Sequence, residues 1–261
     1  MSASSEPVIV TEHDRTLYIR LNRPAAGNAL DWATLEGLNR AFGVLNDDER
    51  LWAGVLTAAG DTTFCAGADL KTLPQEVAEK QKQGIPLPQT IMHGLRVRKP
   101  LLCALNGDAY GGGLELALAC DMRVSSDHVR LALPEARVGM IPAGGATYRL
   151  PQLIGKGNAL RMMLTGEPVT AAQASAWGLV DRVVPKDELA TAIDEWIDMI
   201  ARSAPLAVQA IKELVDASSA ADATEAMQAE AVAIARIQRT ADAAEGPRAF
   251  RERRAPTWCG R

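Results

Sequence analysis

The chain is 261 residues long, enough for a substantial core in one large domain or two modest ones, and its 48% apolar and 23% charged residues are ordinary for a globular protein. The formal net charge of −4, with both signs spread along the sequence, argues against a nucleic-acid coat, which needs a basic face. No apolar run is long enough to span a bilayer and residues 1–7 are polar, so neither a membrane span nor a signal peptide is expected and the chain reads as cytoplasmic.

Val8–His13 and Thr16–Leu21 are apolar, β-branched stretches separated by Asp14-Arg15, and they predict a hairpin. Residues 31–46 carry Leu35, Leu38, Phe42 and Leu45 at spacings of three to four, the period of an amphipathic helix. A strand at Ala53–Ala58 follows, then a helix near Gln89–Arg98, a strand at Leu101–Leu105, a helix at Leu114–Cys120 and a strand at Met122–Ser125. Strands alternating with helices indicate an α/β architecture with crossovers. From Gly155 onward helical patterns dominate, over Asn158–Leu164, Ala171–Trp177, Glu188–Arg202, Leu206–Ala217 and Ala223–Gln238, and only Val180–Val184 still reads as a strand. Pro205 suits the start of a helix. A boundary near residue 200 is expected, with an α/β body over 1–200 and a helical unit over 201–261. The alanine-rich stretch 216–226 reads as helix and turn.

The four cysteines, Cys65, Cys103, Cys120 and Cys259, are far apart with no CxxC pair, which predicts reduced thiols and no zinc site. Three segments call for an explanation. The first, residues 64–71, contains Cys65 and small residues at 66–68 that let another group approach the backbone. Cys65 reads either as a reactive thiol or, more simply, as a small buried hydrophobe. The second, residues 106–115, sets Gly111-Gly112-Gly113 between a strand and an apolar helix, where exposed N–H groups favour an anion or a developing oxyanion. It has neither the spacing of a dinucleotide fingerprint nor the Gly-Lys-Ser/Thr of a phosphate-binding loop. The third is Leu133-Pro134-Glu135, a carboxylate in a largely apolar run, where a raised pKa is expected. Glu135 alone would more simply be a structural residue; the order of all three segments is the stronger signal.

Together, Gly-Ala-Asp-Leu-Lys at 67–71, Asn-Gly-x-Ala-x-Gly-Gly-Gly-x-Glu-Leu at 106–116 and Pro-Glu at 134–135 resemble the crotonase (enoyl-CoA hydratase/isomerase) superfamily. Asn22-Arg23-Pro24, Asn28-Ala29-Leu30, Leu164-Thr165-Gly166, Trp177–Val180 and Glu245-Gly246-Pro247 through Arg254 extend the resemblance over nearly the whole chain. It implies an α/β fold, a crotonase-like ββα spiral core with a C-terminal helical trimerisation module. Self-association as a homotrimer or hexamer is expected, with Leu206, Ala210, Ile211 and Leu214 as part of the packing stripe. An ordinary contact within the chain would give the same stripe.

By the same resemblance, the backbone N–H groups of Ala68 and Gly112 form an oxyanion hole for a thioester carbonyl. Glu115 is the base that activates water, Glu135 is the acid, and the roles exchange in the dehydration direction. Retention of both glutamates favours hydratase or dehydratase chemistry over isomerase, hydrolase or dehalogenase relatives. Coenzyme A would be held by Ala68, Asp69, Leu70, Lys71 and Gly112, with Phe250 and Arg253 near its phosphates. No metal and no cofactor beyond the CoA of the substrate are expected, and no nucleic-acid or membrane partner. Alternatives are a dehydratase of a polar acyl-CoA, similar to carnitinyl-CoA dehydratase-type members, an isomerase, or a non-catalytic RNA-binding relative. Ala143 stands where the family commonly has glycine and Tyr148 where glutamine is frequent, which bears on substrate preference. His93 reads either as reaching the acyl pocket or, more simply, as a packing or surface residue.

Overall fold

The hairpin forms as expected in the computed structural model, which describes residues 6–218 and 222–261. β1 (Val8–His13) and β2 (Thr16–Leu21) pair antiparallel around a two-residue turn, where Asp14 takes a φ of 49°. α1 (Trp32–Asp47) starts where the Asp31 carboxylate accepts the Thr34 N–H at 2.8 Å, and it buries the predicted stripe of Leu35, Leu38, Phe42 and Leu45. The body continues with β3 (Ala53–Ala58), β4 (Thr63–Cys65) and α2 (Leu73–Lys82). Next come β5 (Leu101–Leu105), β6 (Asp108–Tyr110) and α3 (Gly112–Leu118). β7 (Met122–Ser126), β8 (Arg130–Ala132) and α4 (Ala146–Thr165, broken at Gly155) complete the same pattern. After it run β9 (Val169–Thr170), α5 (Ala171–Trp177) and β10 (Arg182–Val184). Four helices finish the chain: α6 (Leu189–Ala201), α7 (Pro205–Ser218), α8 (Ala223–Ile237) and α9 (Ala241–Glu252).

One sheet has the order β1-β2-β3-β5-β7-β10 and the other β4-β6-β8-β9. Within them β3, β5 and β7 run parallel, as do β4, β6 and β8. Each passage of chain therefore lays one strand in each sheet and returns through a helix, as β3-β4-α2, β5-β6-α3 and β7-β8-α4. This is the expected ββα spiral. All five residues of β5 are buried because both faces of the large sheet are covered. One face meets the main core, with Phe42, Phe64, Leu105 and Leu116. On the other, Val55, Leu102, Ala104 and Val124 pack with Ala192 and Ile193 of α6.

The helix expected near Gln89–Arg98 is replaced by a single 3-10 turn, Ile91–His93, ended by Gly94 at φ 93°. Asparagines of α1 take the backbone groups that a helix would have used. Asn39 Nδ2 donates to Gln89 O at 2.7 Å and Asn46 Nδ2 to Arg96 O at 2.7 Å, while Asn46 Oδ1 accepts the Arg98 N–H at 3.0 Å. Tertiary hydrogen bonds thus override local periodicity. Val169–Thr170 adds a strand to the C-terminal part, where only Val180–Val184 was expected. The stripe on α7 divides: Ala210 is buried within the chain and Leu206 and Leu214 are half-buried, whereas Ile211 is exposed. Of the alanine-rich stretch, residues 219–221 lie outside the described residues, as do residues 1–5 of the N-terminal segment. No helix among the described residues is long and apolar enough to cross a membrane.

Two buried carboxylates of α9 fasten the C-terminal tail. Asp242 accepts the N–H groups of Cys259 and Gly260 at 2.8 and 2.9 Å. Glu245 accepts from Arg254 Nη1 at 2.6 Å and the Thr257 N–H at 2.8 Å, and it also pairs with Arg248. The Arg254 guanidinium, with the Thr257 amide, holds the Glu245 carboxyl well below the usual carboxylate range. A depressed carboxyl stabilises the fold fully above its ordinary value of 4.5 and loses that contribution as the pH falls below it. Thermal unfolding of Glu245→Gln should therefore show a melting temperature several degrees below that of the parent at pH 7, with the gap narrowing steadily as the pH is lowered through the acid range. A gap independent of pH would contradict this account.

Candidate active site

The loop after β4 is fixed by its pairing with Leu30. Leu30 and Ala68 form an isolated parallel bridge in which the Leu30 N–H donates to Gly67 O at 2.8 Å and the Asp69 N–H donates to Leu30 O at 2.9 Å. That bridge uses the groups on either side of Ala68. Because successive N–H groups in an extended segment point to opposite sides, the Ala68 N–H is turned away from Leu30. On that other side lies Gly112, the first residue of α3, whose N–H has no intrahelical acceptor. A Cβ built on Gly112 would stand 3.7 Å from the Ala68 nitrogen. The approach is tight: Gly67 has φ 94° and a Cβ there would lie 2.9 Å from Tyr110 O, and one on Gly113 would lie 2.2 Å from Cys65 O. Two unengaged backbone donors are thereby brought together at the surface.

α3 then carries Glu115 inward, where it is 4% exposed. Its Oε1 accepts two backbone hydrogen bonds, from the Gly144 N–H at 2.7 Å and the Ala146 N–H at 3.0 Å. Glu135 opens a 3-10 turn, Glu135–Val138, directly after Pro134. Its Oε1 would be 3.1 Å from a Cβ on Gly111, next to the Gly112 amide, and its Oε2 is buried with no hydrogen-bond partner among the described residues. Burial raises the Glu135 pKa, and the nearby Glu115 charge adds to that, against a smaller opposing pull from its own backbone N–H. The two carboxyls thus differ in surroundings: one is held by two amides of another segment, the other is partly desolvated with one oxygen unmatched among the described residues.

His93 sits at the edge of this cluster, on the 3-10 turn. Partial desolvation lowers its pKa and the Arg149 charge adds to that, while Glu115 pulls the other way. The ring therefore lies within electrostatic range of both groups. Thr90 Oγ1 is 3.3 Å from its Nδ1.

Among the residues expected to hold CoA, the Asp69 side chain already has partners. Its carboxylate accepts from Arg23 Nη2 at 3.0 Å and from the Lys71 N–H at 3.2 Å. Desolvation works to raise its pKa, but Arg23 and the backbone amides outweigh it and the net shift is downward. Asp69 thus stiffens the loop, whereas Leu70 is 57% exposed and Lys71 is exposed beside it. Phe250, 85% exposed, and Arg253 lie on or at the end of α9. Among the described residues, no hydrogen bond or ion pair of α9 reaches α3 or the 3-10 turn that carries Glu135; Arg254 pairs with Glu245 and Glu252. The reactive reading of Cys65 does not hold: the thiol is fully buried and burial pushes its pKa up to about 12.

Three features of the cluster were not foreseen. The Gly144 and Ala146 amides that hold Glu115 are backbone groups, which side-chain identities do not mark. Asn28, buried at φ 52°, donates through Nδ2 to Ala59 O at 3.0 Å and Thr63 O at 2.7 Å, and so fixes the approach to β4. Arg149 bonds to the backbone carbonyls of Gly144 and Ile91; its one sequence signal is a charge inside the otherwise uncharged segment 146–154.

Residues 11–261 match the family model described as Enoyl-CoA hydratase/isomerase. A carnitinyl-CoA dehydratase of Proteus mirabilis is 38% identical over 261 residues, covering 98% of this chain and 100% of the relative. One from Salmonella typhi is 36% identical over the same shares. The crystal structure of enoyl-CoA hydratase from Bacillus anthracis superposes with a TM-score of 0.90 at 34% identity, covering 98% of this chain and 100% of that one. The enoyl-CoA hydratase from Mycobacterium tuberculosis gives a TM-score of 0.90 at 33% identity over the same shares.

The electrostatic coupling of the glutamates is directly measurable. With carboxyl-labelled glutamate, the Glu135 carbon resonance should titrate above the ordinary range, and in Glu115→Gln its midpoint should move down because the neighbouring charge is gone. An unchanged midpoint in that variant would show that the two carboxyls do not interact.

Proposed function

The chain belongs to the enoyl-CoA hydratase/isomerase family, and from that premise we propose that it is an enoyl-CoA hydratase, adding water reversibly across the 2,3 double bond of an acyl-CoA thioester. The observation that carries this reading is the pair of unlike carboxyls, Glu115 and Glu135, beside the unengaged amides of Ala68 and Gly112. The thioester oxygen accepts from those two N–H groups. Attack at Cβ places negative charge on that oxygen as an enolate, and each preorganised donor is worth roughly 3 kcal/mol to such charge. Glu115, with Oε1 held by two amides, takes a proton from water through Oε2 as the water oxygen bonds to Cβ. Glu135, whose raised pKa suits a proton donor, delivers its proton to Cα. The two carboxyls finish with exchanged protonation and reset through solvent; dehydration is the same path reversed. This chemistry draws on no metal or redox cofactor.

CoA binds along the backbone of Ala68–Lys71, with Lys71, Phe250 and Arg253 toward its nucleotide end. Phe250 and Arg253 come from α9 of the same or a neighbouring subunit. Helices from residue 201 onward form the module for assembly as a homotrimer or hexamer. Exposed Ile211 and Val215 on α7, with Met227, Val232 and Ile234 on α8, supply apolar surface for that contact. The thiols Cys65, Cys103 and Cys120 are buried and unpaired, which fits the reducing cytoplasm.

A second reading, dehydration of a polar, hydroxylated acyl-CoA, is favoured by the named activity of the Proteus and Salmonella relatives and by the polar His93 ring near Glu115. Turnover across short, long, aromatic and hydroxylated acyl-CoAs separates the two: hydration of crotonyl-CoA supports the first, and turnover confined to hydroxylated or charged acyl groups supports the second. In either case Glu115→Gln and Glu135→Gln should each lower kcat by about 10²–10⁴-fold while acyl-CoA binding persists. Full activity in either variant would remove that residue from the mechanism.

A further inference from the structure

Arg149 lies on the first turn of α4, and its guanidinium joins the segment that holds Glu115 to the 3-10 turn at Ile91. Nη1 donates to Gly144 O at 2.9 Å and Nη2 to Ile91 O at 3.1 Å. The guanidinium carbon also stands 4.6 Å from the Tyr148 ring centroid, so the side chain is braced from its flank. Ile91 belongs to the 3-10 turn that carries His93.

The arrangement of peptide planes gives this clamp its consequence. Glu115 Oε1 is held by the N–H of Gly144 and the N–H of Ala146, which belong to two different peptide planes. Between them lies the plane containing the Gly144 carbonyl, the group that Arg149 binds. Both residues linking the three planes, Gly144 and Gly145, are glycines, so this stretch has the softest backbone torsions available. The Ala146 plane is already held by α4, because Gly145 O accepts the Arg149 N–H at 3.0 Å; with the middle plane free, it is the Gly144 amide that could rotate away and release the carboxylate. With it fixed to Ile91 through a planar, two-armed donor, both amides stay aimed at one oxygen.

We propose that Arg149 is a positioning residue for Glu115: by clamping the Gly144 carbonyl it keeps two amides on Oε1 and so directs Oε2 toward the reacting water. The inference rests on the reading of Glu115 as the group that activates water. Arg149 touches neither the thioester nor the water, and its effect is transmitted through three successive peptide groups.

The test uses the full-length protein with Arg149→Met, which keeps length and removes the donors, and Arg149→Lys, which keeps charge but offers a point donor in place of the fork. Amide hydrogen exchange at Gly144 should be faster by about tenfold or more in Arg149→Met, with the amides of β5 and β7 unchanged. On whichever acyl-CoA the parent turns over best, kcat should fall about 100-fold with KM within a few-fold, the cost of a misplaced catalytic group. Arg149→Lys should recover part of both effects. Unchanged exchange at Gly144, or loss of kcat in step with a general drop in melting temperature, would overturn the proposal. A rise in KM with kcat intact would make Arg149 a substrate contact and overturn it equally. The exchange measurement needs no substrate, so the clamp is decided even if the parent turns over no acyl-CoA, an outcome that would refute the proposed function.

Discussion

The segment Cys65–Ala68 passes Tyr110–Gly113 at a separation that leaves no room for a side chain on the facing backbone, with positions for a Cβ falling 2.2–3.2 Å from carbonyl oxygens and an amide nitrogen. Everything chemical in the molecule follows from this contact. It brings the amide of Ala68, freed by the Leu30 bridge, beside the first free amide of α3. It fixes where α3 begins, and therefore where Glu115 enters the core. The two sheets make the contact possible, because β4 and β6 are parallel neighbours and end side by side. A shift of one residue in that register would separate the donors and turn Glu115 away.

Much of this could be read in the sequence where a residue's identity carries a physical instruction. The hairpin around Asp14, α1 with its stripe from Leu35 to Leu45 and the buried strand at Leu101–Leu105 follow from period and turn chemistry. The helix at 89–98 failed because Asn39 and Asn46, fifty residues away along the chain, supply partners for its backbone. β4, β6 and β8 were missed because a strand of three residues shows no period at all. Glu115 and Glu135 stood out through their settings, a glycine run and a proline in an apolar stretch. What surrounds them did not, since the amides of Gly144 and Ala146 and the carbonyls bound by Arg149 are present in every residue.

The site is also where the fold accepts a cost. Among the described residues Glu135 Oε2 is buried without a hydrogen-bond partner, and a buried polar atom left unsatisfied is unfavourable. Elsewhere buried carboxylates are well supplied: Asp242 and Glu245 each gather several donors to hold the tail. The contrast within one chain supports the proposed role of Glu135 as proton donor, and the different surroundings of Glu115 support the proposed division of labour between them.

In the proposed function Ala68 and Gly112 jointly receive a thioester oxygen between the two glutamates. A crystal structure of the protein with a saturated acyl-CoA, which binds but has no double bond to hydrate, tests this most directly. The thioester oxygen should lie about 2.7–3.1 Å from both the Ala68 and Gly112 nitrogens, with Cα and Cβ between Glu135 and Glu115. A carbonyl bound by neither amide, with the acyl chain leading away from the glutamates, would contradict it.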